Sequence, residues 1–312
     1  MELRQLRYFV SVVEEGGFTR AAARLHLAQP GLSAQIRQLE KELGQPLLDR
    51  SGRSVTPTEV GRAVLPYARA ALAAADAVRQ TVDAYTGLLR GRVTLGLVSG
   101  ASGHAFDIAG LLADFHADHP SVEVALTEDT TERMQAALLA GELDIALLGT
   151  AAEQPPPGAA FRMVIDVPLV AVVAPGDPLL ARVDGTTVPL GALRDRPLIC
   201  LPRGTGVRAA LERGCAQAGF RPRVTFEAAA PDVPARLAAR GLGVAVLPAG
   251  EDGAPSDEGL RTLRIVEPEI RGRLALAWQA TGPSSPAARE LLDRLREALP
   301  TPRPAEGAPG GS

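Results

Sequence analysis

Leu32, Ile36, Leu39 and Leu43 are spaced 4, 3 and 4 residues apart. That spacing places them on one face of a helix. Pro30 suits the first helical position and Gly44 tolerates a left-handed cap, so the helix is bounded at both ends. Residues 18–25 predict a shorter helix ahead of it, whose Ala21, Ala22 and Ala23 let a second helix approach closely. At about 100° per residue, Pro30, Ser33, Ala34, Arg37 and Lys41 lie opposite the leucine face. That side carries short, polar or basic side chains, which suits a major groove about 12 Å wide. A hairpin should follow, with Leu47 and Leu48 inward and Arg50 and Arg53 flanking a Ser51–Gly52 turn.

The run MELRQLRYFVSVVEEGGFTRAAARLHLAQPGLSAQIRQLEKELGQPLLDRSGRSVTPTEVG closely resembles the winged helix-turn-helix of the LysR-type transcriptional regulators, without a gap through Gly61. A looser resemblance continues to about Leu299. It implies a helix-turn-helix over about 18–37 inside a DNA-binding domain of residues 1–58. It places contacts to double-stranded DNA at Thr19, Gln29, Pro30, Ser33 and Ala34, and at Arg50, Arg53 and Thr56. Arg37 is long enough to reach phosphate. Many relatives carry a basic residue where this chain has Ala34, which leaves a methyl contact to thymine at that point.

Charge agrees with this division. Residues 1–92 hold 13 of the 33 Lys and Arg but only 9 of the 36 Asp and Glu, so a basic N-terminal part joins an acidic body. Such a split fits local phosphate contact. No apolar run approaches the ~18 residues of a membrane span, and no targeting segment precedes residue 7, so a cytoplasmic protein is expected. Two cysteines, Cys200 and Cys215, make no disulfide framework.

Thr56, Pro57 and Glu59 predict a helix start with Thr56 as cap. From there Val60, Val64, Tyr67, Ala71, Ala74, Val78, Val82, Tyr85 and Leu89 step by three or four. This stripe, over residues 59–90, reads as a two-helix seam. Pro66 falls inside it and should bend it.

Beyond Arg92, short β-rich runs alternate with helices, the pattern of α/β layers. Strands are predicted at 92–98, 122–127, 143–149, 167–174, 197–202, 223–228, 242–248, 260–265 and 273–279, with helices at 104–117, 131–140, 206–218, 231–240 and 285–298. AALLAGELDIALLG (136–149) and ARLAARGLGVAVLP (235–248) share a helix–Gly–strand layout, as two similar lobes would. The resemblance implies the same: two Rossmann-like lobes akin to type 2 periplasmic solute-binding proteins. Lobe I is placed at 92–163 plus 268–300, and lobe II at 164–267. Residues 301–312 read as a disordered tail.

Ligands of open α/β folds bind beyond the carboxyl ends of strands. Ser99, Gly100 and Ser102 follow the first strand there, Thr127 and Thr130 the second, and Gly149 ends the third. Pro202, Arg203 and Thr205 occupy the facing position in the other lobe. Hydroxyls, backbone N–H groups and one guanidinium suit a small, anionic effector. Family resemblance further implies a homo-oligomer built as a dimer of dimers, contact with RNA polymerase, no cofactor and no catalytic activity.

Other readings are weaker. Gly204 to Ala209, GTGVRA, has the form G-x-G-x-x-A, with Glu227 at the next strand end. A nucleotide-binding α/β enzyme with an incidental helical N-terminus could carry that fingerprint. Peroxide-sensing relatives resemble this segment; Cys215 matches their resolving cysteine, but Gly206 stands at their reactive one. His116 and His119 are three apart on one helix, with no third metal ligand nearby.

Overall fold

The computed structural model describes residues 1–52, 54–85, 89–98, 106–151, 154–183, 185–230, 232–249 and 259–302. Arg53, Ser99, Gly100, Ser102 and the tail beyond residue 302 lie outside the described residues.

The N-terminal unit contains α1 (Leu3–Glu15), α2 (Phe18–Arg24), α3 (Gln29–Leu43), the two-residue strands β1 (Leu48–Asp49) and β2 (Thr56–Pro57), and the start of α4 (Glu59–Tyr85). Phe9 and Val12 of α1, Ala21 of α2, and Leu32, Ile36 and Leu39 of α3 bury their side chains completely in one core. Leu43, the fourth of the predicted stripe, is 40% exposed in the last turn of α3. Gly16 and Gly44 both take left-handed φ values, 60° and 70°, to end α1 and α3.

The helix start after the wing differs from the sequence reading. Thr56 and Pro57 pair with Asp49 and Leu48 in the wing. Thr58 is the cap instead: its Oγ1 accepts from Gly61 N–H at 2.9 Å. The ladder claims Thr56, so the nearest free hydroxyl moves two residues on. α4 continues through Pro66 as one helix. Its stripe divides in two. Val64, Leu65, Ala68, Ala71 and Leu72 pack on the N-terminal core. Val60, Tyr67, Ala74, Val78 and Val82 face outward.

Among the described residues beyond α4, one ten-stranded sheet carries one core in the first lobe and two in the second, the smaller holding Val170, Val172, Ile199, Ala238 and Ala245. The first lobe holds β3 (Gly91–Val98), α5 (Ile108–Asp118), β4 (Val122–Asp129), α6 (Thr131–Leu139) and β5 (Ile145–Gly149). β6 (Ala159–Val173) leaves it for the second lobe, which holds β7 (Thr187–Pro189), β8 (Leu198–Cys200), α7 (Gly206–Gln217), β9 (Val224–Glu227), α8 (Val233–Ala239), β10 (Val244–Pro248) and β11 (Arg261–Val266). β12 (Arg271–Gln279) returns to the first lobe, and α9 (Pro286–Ala298) covers it.

The strand order in the first lobe is β4-β3-β5-β12-β6, and in the second β9-β8-β10-β6-β11, where β7 adds a further edge strand beside β11. Both are the same arrangement: second, first, third, a returning antiparallel strand, then the fourth. The sequence echo marks the third strand of each. Gly141 (φ 70°) and Gly241 (φ 72°) occupy equivalent turns, each donating its N–H to the carbonyl three residues back. β6 is longer than the predicted 167–174, since its first half pairs with β12 while its second half pairs with β10 and β11.

Candidate functional site: a DNA-reading head and a seam between two lobes

Thr19, Gln29, Pro30, Ala34, Arg37, Arg50 and Thr56 are all exposed on the N-terminal unit. Ser33 is not: it is 8% exposed, and its Oγ accepts from Arg37 Nη1 at 2.8 Å. Arg37 is thereby held along α3, over the N-terminal half of the helix. Gln29 and Pro30 open α3, where the positive end of the helix dipole favours phosphate.

The wing is fastened to α3 by Glu40, a residue that motif matching did not single out. Its Oε1 accepts from the N–H groups of Leu47 and Leu48 at 3.0 and 3.1 Å. Its Oε2 accepts from Arg50 Nη2 at 2.7 Å. The Arg50 guanidinium also lies 5.1 Å from the Phe18 ring centroid, at the start of α2. One carboxylate thus sets the wing, the recognition helix and α2 in a fixed relation. Arg50 is thereby held between Glu40 and the Phe18 ring.

The two lobes meet along a seam made of backbone and threonine. Gly149 ends β5, and Gly206 opens α7 from the facing lobe. A Cβ on Gly149 would fall 2.5 Å from Gly206 N, and one on Gly206 would fall 2.8 Å from Gly149 Cα. Glycine is required at both, because the two backbones touch. Beside them, Thr131 donates its N–H to Gly204 O at 2.9 Å across the seam. Its Oγ1 donates to Gly149 O at 2.9 Å.

The structure therefore brings together Thr130, Gly149 and Thr205 of the predicted effector set. Each threonine also caps a helix: Thr130 accepts from Arg133 N–H and Thr205 from Arg208 N–H, both at 3.4 Å. Pro202 O accepts from Thr205 Oγ1 at 2.8 Å, fixing that loop. Arg203 extends into solvent, 80% exposed, with Glu212 at 3.9 Å. Thr127 belongs elsewhere. It lines a surface depression of about 330 Å³ with Arg92, Thr94, Leu126, Arg133 and Glu142. Thr131 was missed by sequence reasoning, though it follows the predicted Thr130 directly.

The nucleotide fingerprint is consumed by the fold. Arg208, the residue before Ala209 in GTGVRA, is buried, and its Nη1 donates to Glu227 at 2.6 Å. Its Nε donates to Glu212 at 2.7 Å. The carboxylate that would meet a ribose is already paired with a buried cation. Nor do the cysteines form a reactive pair. Burial pushes the Cys200 thiol up to about 12 and the Cys215 thiol up to about 11. Since the thiolate is the nucleophile, alkylation at pH 8 should run at least ~100-fold slower in the native chain than in urea. Rapid native labelling, followed by mass spectrometry, would contradict that burial. His119 packs against Phe115 with its ring tilted by 59° and the centroids 5.1 Å apart.

Comparison with known proteins supports this geometry. Residues 3–62 match the family model described as bacterial regulatory helix-turn-helix protein, lysR family. Residues 86–300 match the LysR substrate binding domain. The HTH-type transcriptional regulator ShiR of Corynebacterium glutamicum is 36% identical over 281 residues, covering 89% of this chain and 92% of that one. The nitrogen assimilation regulatory protein nac of Klebsiella aerogenes is 33% identical, covering 97% and 96%. Among solved structures, a full-length OxyR variant from Pseudomonas aeruginosa superposes with a TM-score of 0.69 at 26% identity, covering 96% and 98%. Full-length CbnR complexed with its target DNA gives 0.56 at 25% identity, covering 96% and 100%. A helix-turn-helix head, a two-lobed α/β body and relatives matched along nearly their whole lengths lead to one conclusion: the chain belongs to the LysR family of DNA-binding transcriptional regulators, with an effector-binding C-terminal domain, and is not an enzyme.

Proposed function

We propose that this regulator works in the cytoplasm as a dimer of dimers, and that a small anionic molecule bound between the two lobes sets the spacing of its DNA-binding heads. The observation that carries this reading is the seam itself. Gly149, Gly206, Gly204 and Thr131 meet through backbone atoms and hydroxyls, so opening it sacrifices little apolar burial. Such a contact forms a two-state element, which a ligand biases by its differential affinity. Thr130, Gly149, Pro202, Arg203 and Thr205 belong to the effector site on this reading, with Ser99, Gly100 and Ser102. The heads use Thr19, Gln29, Pro30, Ala34, Arg37, Arg50, Arg53 and Thr56 on DNA, with Ser33 acting only through the Arg37 side chain it holds, and position RNA polymerase by the bend they impose.

The outward stripe of α4 supports pairing. Val60, Tyr67, Val78 and Val82 are 38%, 78%, 66% and 64% exposed, and with Ala74 they step by seven, seven, four and four. Large apolar side chains in that register bury against a second helix. Placing charge there, as Val78→Asp with Val82→Asp, should lower the oligomer to monomer in sedimentation and weaken binding to a two-half-site duplex by at least ~100-fold. An unchanged oligomer would remove α4 as the pairing element. The whole reading is tested by hydroxyl-radical footprinting on DNA upstream of the protein's own gene. Two protected half-sites about one or more helical turns apart are expected. A single half-site, or none, would oppose it. A metabolite screen by thermal shift then identifies the ligand, since binding to the native state raises Tm.

A further inference from the structure

Arg69, on α4, reaches both ways. Its Nη2 lies 3.4 Å from Glu14 Oε1, on α1 of the DNA-reading head. Its Nη1 donates to Glu142 Oε1, in the turn between α6 and β5 of the first lobe. The Arg69 side chain is 17% exposed although it sits on a helix surface, so both carboxylates cover it. Each end of the bridge is anchored. Glu14 also holds Arg24 of α2 at 2.9 Å, and Arg24 holds Glu15 at 3.1 Å. Glu142 N–H donates to Ala137 O at 2.8 Å, and Gln279 Nε2 donates to Leu138 O at 2.8 Å, fixing the turn to β12. The same lobe rests its α9 against α4.

We propose that Arg69 is the charge bridge through which the position of the first lobe is transmitted to the DNA-reading head. The inference deepens the proposed function, and rests on it for the claim that lobe position matters to DNA. Three features favour a coupling role over incidental surface pairing. The bridge spans residues 55 and 73 positions apart in the chain. It joins the head, in which α1 and α4 share one core, to the first lobe through one partly buried guanidinium, where screening is weaker than for exposed pairs. Its head end leads through Arg24 to α2, the helix that also carries Thr19. A rotation of the first lobe therefore pulls on α1 and α2 rather than on solvent.

The test uses the full-length chain without ligand. Glu142→Gln keeps side-chain size and removes the charge; Arg69→Gln breaks both ends. Amide hydrogen exchange is followed at the C-terminal turn of α1, residues 12–15, and at the turn 139–144. Glu142→Gln should speed exchange at residues 12–15 by about 3-fold or more, although the substitution lies in another lobe. Arg69→Gln should do so by at least as much. A purely local role changes residues 139–144 alone, and that result would overturn the bridge. Equal Tm values in the variants confirm that folding is intact. Should Tm fall, Arg69→Lys provides the second arm: it keeps a positive charge between Glu14 and Glu142, so exchange at residues 12–15 should stay near wild type, and acceleration as large as in Arg69→Gln would also overturn the proposal. Because no DNA is present, loss of this coupling is distinguishable from absence of a footprint, which tests the head instead.

Discussion

Gly61→Ala should abolish DNA binding while leaving the two-lobed body folded. A Cβ built on Gly61 falls 2.0 Å from the carbonyl oxygen of Leu47 and 3.3 Å from Pro57 Cβ. Both neighbours belong to the wing, and the first is backbone, so no rotamer change relieves the clash. Intrinsic helix propensity works in the opposite direction, favouring alanine over glycine by about 1 kcal/mol inside a helix. The clash decides the sign: overpacking against fixed backbone costs about 3 kcal/mol or more here. Helix α4 would then separate from the wing, and Leu47, fully buried in the head core, would move with it. Gel-shift affinity should fall at least ~100-fold, with thermal unfolding of the head lowered and that of the C-terminal body unchanged. Retained binding would mean that the close approach of α4 to the wing is dispensable.

Gly206→Val should force the lobe seam open. The valine Cβ would meet Gly149 Cα at 2.8 Å and Thr150 N at 3.1 Å, all backbone of the other lobe. Gly149 ends β5 and Gly206 opens α7 where the two lobes touch, so the cost is concentrated in the contact between them. Thr131 N–H then loses Gly204 O, and its exchange should accelerate by about 5-fold, the equivalent of one lost hydrogen bond of about 1 kcal/mol. Gly149→Val should act alike, because the two glycines face each other. Combining them should add little once the seam has parted, a non-additivity expected of residues in contact.

Much of the head was legible in sequence because its signals are local. Gly44, Pro30 and the leucine spacing bound α3 within a residue of its observed limits. The cap after the wing was misplaced because tertiary pairing claimed Thr56, and sequence proximity alone does not reveal a two-residue ladder. The first half of β6 was hidden for another reason: Arg162 and Asp166 interrupt its apolar run. Asp166 is there to accept from Arg271 at 2.6 Å where the chain passes between lobes. The two-lobe plan was visible through the echo around Gly141 and Gly241. The candidate ligand site was only half visible. Threonine and glycine after strands signal helix caps and ligand contacts equally well, and Thr130 and Thr205 serve as caps in this structure. What singles out Gly149 and Gly206 is their mutual approach, a long-range fact with no local signature.

The central claim is that lobe geometry governs how the paired heads sit on DNA. It is tested most directly by hydroxyl-radical footprinting of wild type and Gly206→Val, side by side, on the DNA upstream of the gene. The account predicts the same recognition half-site protected in both, with protection and bending of the second half-site shifted in the variant. Superimposable footprints, from a variant whose Thr131 amide exchange proves the seam open, would contradict it.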